Sequence, residues 1–156
     1  MKIRWKILIP SLLLPLAVGG LSALLSGGGM RQFDLLNKPL LSPPGWLFPV
    51  VWTILYLLMG FCSYLIAASD AEKLQKNAAM RIYLIQLAFN FFWSILFFRF
   101  QSYWLSFAWL AGLWVLIIIT IDRFSKIRKT AGDLLAPYWL WVTFAGYLNA
   151  SIALLN

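Results

Sequence analysis

Three groups of residues recur at helical spacing with side chains able to stack on a ligand or hydrogen-bond to one. Trp52, Tyr56, Met59 and Ser63 form the first; Gln86, Asn90, Trp93, Ser94 and Phe97 the second; Pro137, Trp141, Ala145 and Asn149 the third. Steps of three, four and seven residues put side chains on one face of an α-helix. Trp and Tyr offer flat apolar rings with one polar tip, and Asn and Gln offer both donors and acceptors. Three such faces turned together would wall a cavity for a large planar apolar ligand. Asn90 and Gln86 also have a plainer use, linking one helix to another. Conventional catalysis finds no footing. The chain has no histidine, which removes the commonest general base and the commonest axial haem ligand. Its one cysteine, Cys62, sits in an apolar run, and no residues have metal-ligand spacing. No nucleophile–base pair is evident.

The elements that must carry these faces are membrane spans. Of the 156 residues, 62% are hydrophobic and 12% charged, where a soluble domain carries about 25% charged residues. Mean hydropathy is +0.81. These figures exclude a soluble enzyme, a disordered chain and a nucleic-acid-binding domain. Five apolar stretches, at about 7–25, 46–68, 82–98, 104–121 and 134–155, contain no Lys, Arg, Asp or Glu. Runs of this length, at about 1.5 Å per residue, cross a hydrocarbon core of about 30 Å. Lipid leaves no partner for an unpaired backbone group, so each should be helical. The expected fold is an all-α membrane protein, residues 1–156 forming a single domain with a bundle of five transmembrane helices. The first run is too long for a signal-peptide core and lacks a clear cleavage site, so it counts as a span.

The charges orient the bundle. Lys2, Arg4 and Lys6, then Lys73, Lys76 and Arg81, then Arg123, Lys126, Arg128 and Lys129 fall on the N-terminal side; Arg31, Lys38 and Arg99 fall on the other. The positive-inside rule places the N-terminus in the cytoplasm of a multi-pass cell-membrane protein. The C-terminus and the long loop 26–44 then lie outside. That loop begins with Gly27, Gly28 and Gly29 and ends with Ser42-Pro43-Pro44-Gly45, a flexible start and a stiff end that suit a lid. Trp5, Trp46 and Trp104 stand at span ends, as interface tryptophans do. Trp109 and Trp114 are mid-span with no shared face and are expected against lipid or a partner chain. Gly19, Ala23 and Gly27, and Ala108 and Gly112, are small residues four apart that allow close packing in the bundle or a homodimer. No carboxylate or base lies mid-span, against an ion-coupled transporter.

Several blocks resemble the signature of the tryptophan-rich sensory protein family (TspO/MBR), which includes the mitochondrial translocator protein or peripheral benzodiazepine receptor. They are Lys38-Pro39, Ser42-Pro43-Pro44-Gly45-Trp46, Phe48-Pro49, Val51-Trp52-Thr53-Ile54-Leu55-Tyr56 and Met59-Gly60. Asn90 with Phe92-Trp93-Ser94, and Leu135-Ala136-Pro137-Tyr138-Trp139-Leu140-Trp141 with Phe144-Ala145 and Leu148-Asn149, continue the match. The resemblance implies a five-helix bundle, commonly a homodimer, needing no cofactor. It implies a receptor for porphyrins such as protoporphyrin IX and for isoquinoline carboxamide or benzodiazepine ligands. Carried over by motif, the pocket would be lined by Trp52, Tyr56, Asn90, Trp93, Trp141, Ala145 and Asn149. Pro43, Pro44 and Gly45 would shape the loop, and Phe33 would stand over it. Leu41 and Phe33 replace the Trp and Tyr usual in the family and remove two polar aromatic tips from the lid. The last helix ends without the Tyr and basic residue of the animal sterol motif. Without histidine, a metal-free porphyrin is the expected ligand. Alternative activities implied by the family are light- and oxygen-dependent porphyrin degradation, with Trp52 and Trp141 as the redox pair, and porphyrin or lipid transport.

Overall fold

The computed structural model describes residues 3–156, with the backbone alone at position 30. Lys2, counted above among the basic residues, lies outside the described residues. Five helices are long and apolar enough to cross a membrane. They are α1 (Trp5–Leu25), α3 (Leu47–Ala67), α4 (Lys73–Ser94), α5 (Tyr103–Ile127) and α7 (Ala136–Leu155); short helices α2 (Gly29–Leu35) and α6 (Lys129–Asp133) complete the chain. The protein is an all-α membrane protein. Pro49 falls in the first turn of α3 and Pro137 in that of α7, where a missing N–H breaks no helical bond.

The observed boundaries depart from the sequence reading in three places. The third span begins at Lys73 instead of 82, and the fourth runs on to Ile127 instead of 121. Hydropathy detects where the lipid core ends, whereas the helix continues past it on good helix formers and an Asp122–Lys126 pair at 2.7 Å. The third span also ends in a π-turn, Ile95–Arg99. The loop 26–44, expected as a lid with no secondary structure assigned to it, holds the short helix α2. Gly27 and Gly28 have φ of +67° and +79°, so α1 stops there and the chain turns into α2.

The helices close into a ring. α1 packs on α3 and α4, α4 on α5, and α5 on α7. Aromatic rings join α7 back to α3, Trp52 to Tyr138 at 6.3 Å and Phe48 to Trp141 at 5.9 Å. α1 and α3 pack backbone to backbone at Gly60, where a Cβ would lie 2.6 Å from the Ser11 carbonyl oxygen. Trp109 and Trp114, expected against lipid or a partner chain, also make contacts inside the bundle. Trp109 stacks on Phe89 at 4.3 Å and donates its N–H to the Phe89 carbonyl. Trp114 donates to Thr143 and packs near Trp139. Both join neighbouring helices, using their indole N–H groups where no water could serve.

Candidate ligand cavity

A cavity of about 540 Å³ opens in the half of the bundle nearest α2. Its walls come from α1, α3 and α4, and α2 covers it. α3 contributes Phe48, Pro49, Trp52, Thr53 and Tyr56; α4 and its π-turn contribute Asn90, Trp93, Ser94 and Phe98. The Trp52 ring stacks on Tyr56 at 5.6 Å and lies 6.2 Å from Trp93. The volume falls within the range of about 300–1,000 Å³ usual for small-molecule sites.

Most polar atoms around it are already spent on one another. Tyr56 donates its hydroxyl to Asn90 Oδ1, and Asn90 Nδ2 donates to the Tyr138 hydroxyl, both at 2.8 Å. Tyr138 in turn donates to Gln86 Oε1 at 2.8 Å, and Gln86 Nε2 reaches Met59 Sδ at 3.8 Å. This relay crosses α3, α4 and α7. A second knot forms around Asn149: its Oδ1 accepts from Trp93 Nε1 and Ser106 Oγ, and its Nδ2 donates to the Tyr103 carbonyl. Two polar groups remain open to a ligand. The Trp52 indole N–H has no hydrogen-bond partner among the described residues, and the exposed Arg31 guanidinium, at the α2 end, forms no ion pair among them. Among the described residues, no acidic one lines the cavity. Lys38 is occupied elsewhere, paired with Asp34 at 3.7 Å and resting over the Phe33 ring at 4.8 Å.

Of the ligand-binding residues expected from the sequence, Trp52, Tyr56, Asn90 and Trp93 meet at the cavity, joined by Ser94 from the same α4 face. The other expected ligand-binding residues stand outside its lining. Trp141 sits behind Phe48, Ala145 and Asn149 are buried at the α7 side, and Phe33 is buried edge-on against Phe48 at 5.0 Å. Pro43, Pro44 and Gly45 form the turn leading into α3, with the carbonyls of Pro44 and Gly45 accepting the first amides of that helix. Sequence reasoning missed the wall supplied by α1: Leu16, Gly19, Gly20, Ser22, Ala23 and Ser26. The four-residue spacing of Gly19 and Ala23 was visible and read as a packing face. Phe98 was missed in favour of Phe97, because the wider π-turn turns both rings inward.

This geometry can be set beside known proteins. The profile of the TspO/MBR family matches residues 11–155. The chain belongs to the TspO/MBR family. It is 40% identical to the tryptophan-rich protein TspO of Chlorobaculum tepidum over 124 residues, 80% of this chain and 78% of that one. It is 35% identical to the tryptophan-rich sensory protein of Cereibacter sphaeroides, over 80% of this chain and 76% of the relative. With the human translocator protein it shares 30% identity over 82% of this chain and 76% of that one. It is thus a multi-pass membrane protein of the sensor and translocator type. The whole lining of the cavity, from Leu16 to Phe98, falls within the matched segment.

Proposed function

We propose that this TspO/MBR protein is a membrane receptor whose ligand is a planar, largely apolar molecule, of which a metal-free porphyrin such as protoporphyrin IX is the best fit. Neutral isoquinoline carboxamide and benzodiazepine-type molecules would use the same aromatic walls. One observation carries the reading: an apolar cavity has Trp52 and Tyr56 of α3 and Trp93 of α4 in its walls and an unpaired Arg31 at its α2 end. The rings supply stacking, worth about 0.5–1.5 kcal/mol per pair beyond area burial. Arg31 supplies the charge to meet a porphyrin carboxylate. Small residues on α1 leave room for the flat body. The protein would sit in the cell membrane with α2 facing outwards, and a homodimer would fit the family.

Titrating protoporphyrin IX against tryptophan fluorescence in lipid nanodiscs tests the site. Trp52→Phe, which removes ring area and the free N–H, should weaken binding about tenfold. Trp141→Phe, screened by Phe48, should change it less than about twofold. Unchanged affinity in a Trp52→Phe, Trp93→Phe double variant would reject the site. Light-dependent porphyrin degradation is favoured as a second reading by the contiguous rings of Tyr56, Trp52, Trp93 and Tyr138, each within 6.3 Å of Trp52. Illuminating the complex and following the Soret band decides it: bleaching no faster than in empty nanodiscs rejects catalysis.

A further inference from the structure

Four residues of the cavity wall that belong to membrane-spanning helices are exposed, and they lie on one side of it: Gly20 and Ala23 on α1, Pro49 and Thr53 on α3. The opposite side is closed. Ser22 donates to the Phe91 carbonyl, Ser26 bonds to Ser94, and Phe48 is held between Phe33 and Trp141. Along the α1–α3 seam the helices touch at Gly60, and a turn or two farther on Gly19 lies against the Tyr56 ring, where any Cβ would overlap it. Beyond that contact the seam is lined by small side chains. A Cβ at Gly20 would meet nothing within 4 Å.

The surroundings of this gap are lipid-like. Leu21 and Leu24 on α1 and Val50 and Ile54 on α3 are exposed apolar residues beside it. Thr53 turns its hydroxyl back onto the Pro49 carbonyl at 2.7 Å, so the lip shows no free donor. The water-facing end is fastened at three points. Gly29 is seated on the Phe98 ring, Phe33 is buried against Phe48, and Asn37 is clasped to the end of α7. In that clasp Asn156 Oδ1 accepts the Asn37 amide, Asn156 Nδ2 donates to the Asn37 carbonyl, and Asn37 Nδ2 donates to the Leu155 carbonyl.

We propose that the slot between Gly20 and Ala23 of α1 and Pro49 and Thr53 of α3 is the cavity's doorway, admitting ligand sideways from the adjoining leaflet's hydrocarbon. The proposal rests on the cavity being the ligand site. It also narrows the ligand class to amphiphiles that partition into lipid first. The flat apolar body slides between the helices while an anionic end stays at Arg31, at the cavity's α2 end. The loop then works as a fixed roof.

Two measurements test the doorway. In the first, association of protoporphyrin IX is followed by stopped flow with the full chain in phosphatidylcholine vesicles. Gly20→Leu, which puts a side chain into open space in the slot, should slow association about tenfold and slow dissociation in parallel. A variant with Asn37→Ala and Asn156→Ala, which frees the roof, should associate within about twofold of wild type. Wild-type association in Gly20→Leu, or a large acceleration on freeing the roof, overturns the doorway. The second needs no porphyrin. Vesicles of brominated-chain phosphatidylcholine should quench the Trp52 share of fluorescence, read as the difference from Trp52→Phe, and Gly20→Leu should at least halve that quenching. Equal quenching with and without Gly20→Leu overturns the doorway. Intact slot-dependent quenching without saturable protoporphyrin binding would keep the doorway and reject the proposed ligand.

Discussion

Asn90 illustrates how one side chain can line a cavity and yet have little left to offer a ligand. Its amide accepts from Tyr56 and donates to Tyr138, so it ties α4 to both α3 and α7. The alternative of helix linkage, open from the sequence, describes what its polar atoms do. Removing it leaves the Tyr56 hydroxyl without its acceptor and the Tyr138 hydroxyl with Gln86 alone. Asn90→Leu should therefore destabilise the bundle by about 1–2 kcal/mol, since hydrogen bonds between membrane helices are usually modest. Reversible unfolding in mixed micelles measures this. A double-mutant cycle with Tyr56→Phe isolates the bond, and additive losses would show that the two residues do not interact. The faces on α3 and α4 were legible because Trp, Tyr and Asn announce themselves by type and spacing. What spacing could not tell was which of their atoms would be consumed by one another.

At the scale of the element, α1 is the instructive case. Its residues are apolar almost all round, so no periodic pattern distinguishes the face that meets α3 from the face that meets lipid. The wall it gives to the cavity is built from Gly19, Gly20 and Ala23, residues that shape space by lacking side chains. A reading that looks for chemical groups passes over such a wall. The same holds for the π-turn at Ile95–Arg99, which no local composition marks and which brings Phe98 over the cavity. α7 shows the converse. Its Trp141, Ala145 and Asn149 share a face as expected, but Phe48 packs over Trp141 and Trp93 bonds to Asn149, and none of the three lines the cavity. Gly60 holds the α1–α3 pair in register. Gly60→Ala would force a methyl to within 2.6 Å of the Ser11 carbonyl oxygen, with the Leu12 Cα at 2.8 Å. Backbone cannot yield as a flexible side chain does, so the helices must part. We expect a loss of about 1–3 kcal/mol in the same unfolding assay. A variant as stable as wild type would show that the two helices are free to slide.

For the whole molecule the odd number of spans and the placement of charge act together. Five crossings put the chain ends on opposite faces of the membrane. One face carries Arg31, Lys38 and Arg99 with Asp34; the other Lys and Arg among the described residues gather at the opposite face, with Asp70, Glu72, Asp122 and Asp133. Basic loops are retained in the cytoplasm, and acidic residues contribute little to that choice. The roof formed by α2 should then face outwards, and the slot between α1 and α3 should open to the outer leaflet. Cys62 is buried, so a Cys62→Ser background provides a clean starting point for thiol labelling. In intact cells a membrane-impermeant maleimide should modify Lys38→Cys, beside the roof. It should modify Lys129→Cys, at the start of α6, only after lysis. The reverse pattern would turn the bundle over and move the slot to the cytoplasmic leaflet. Arg31 would then meet anionic ligands made inside the cell, while the cavity itself, fixed by the packing of α1, α3 and α4, would be unchanged.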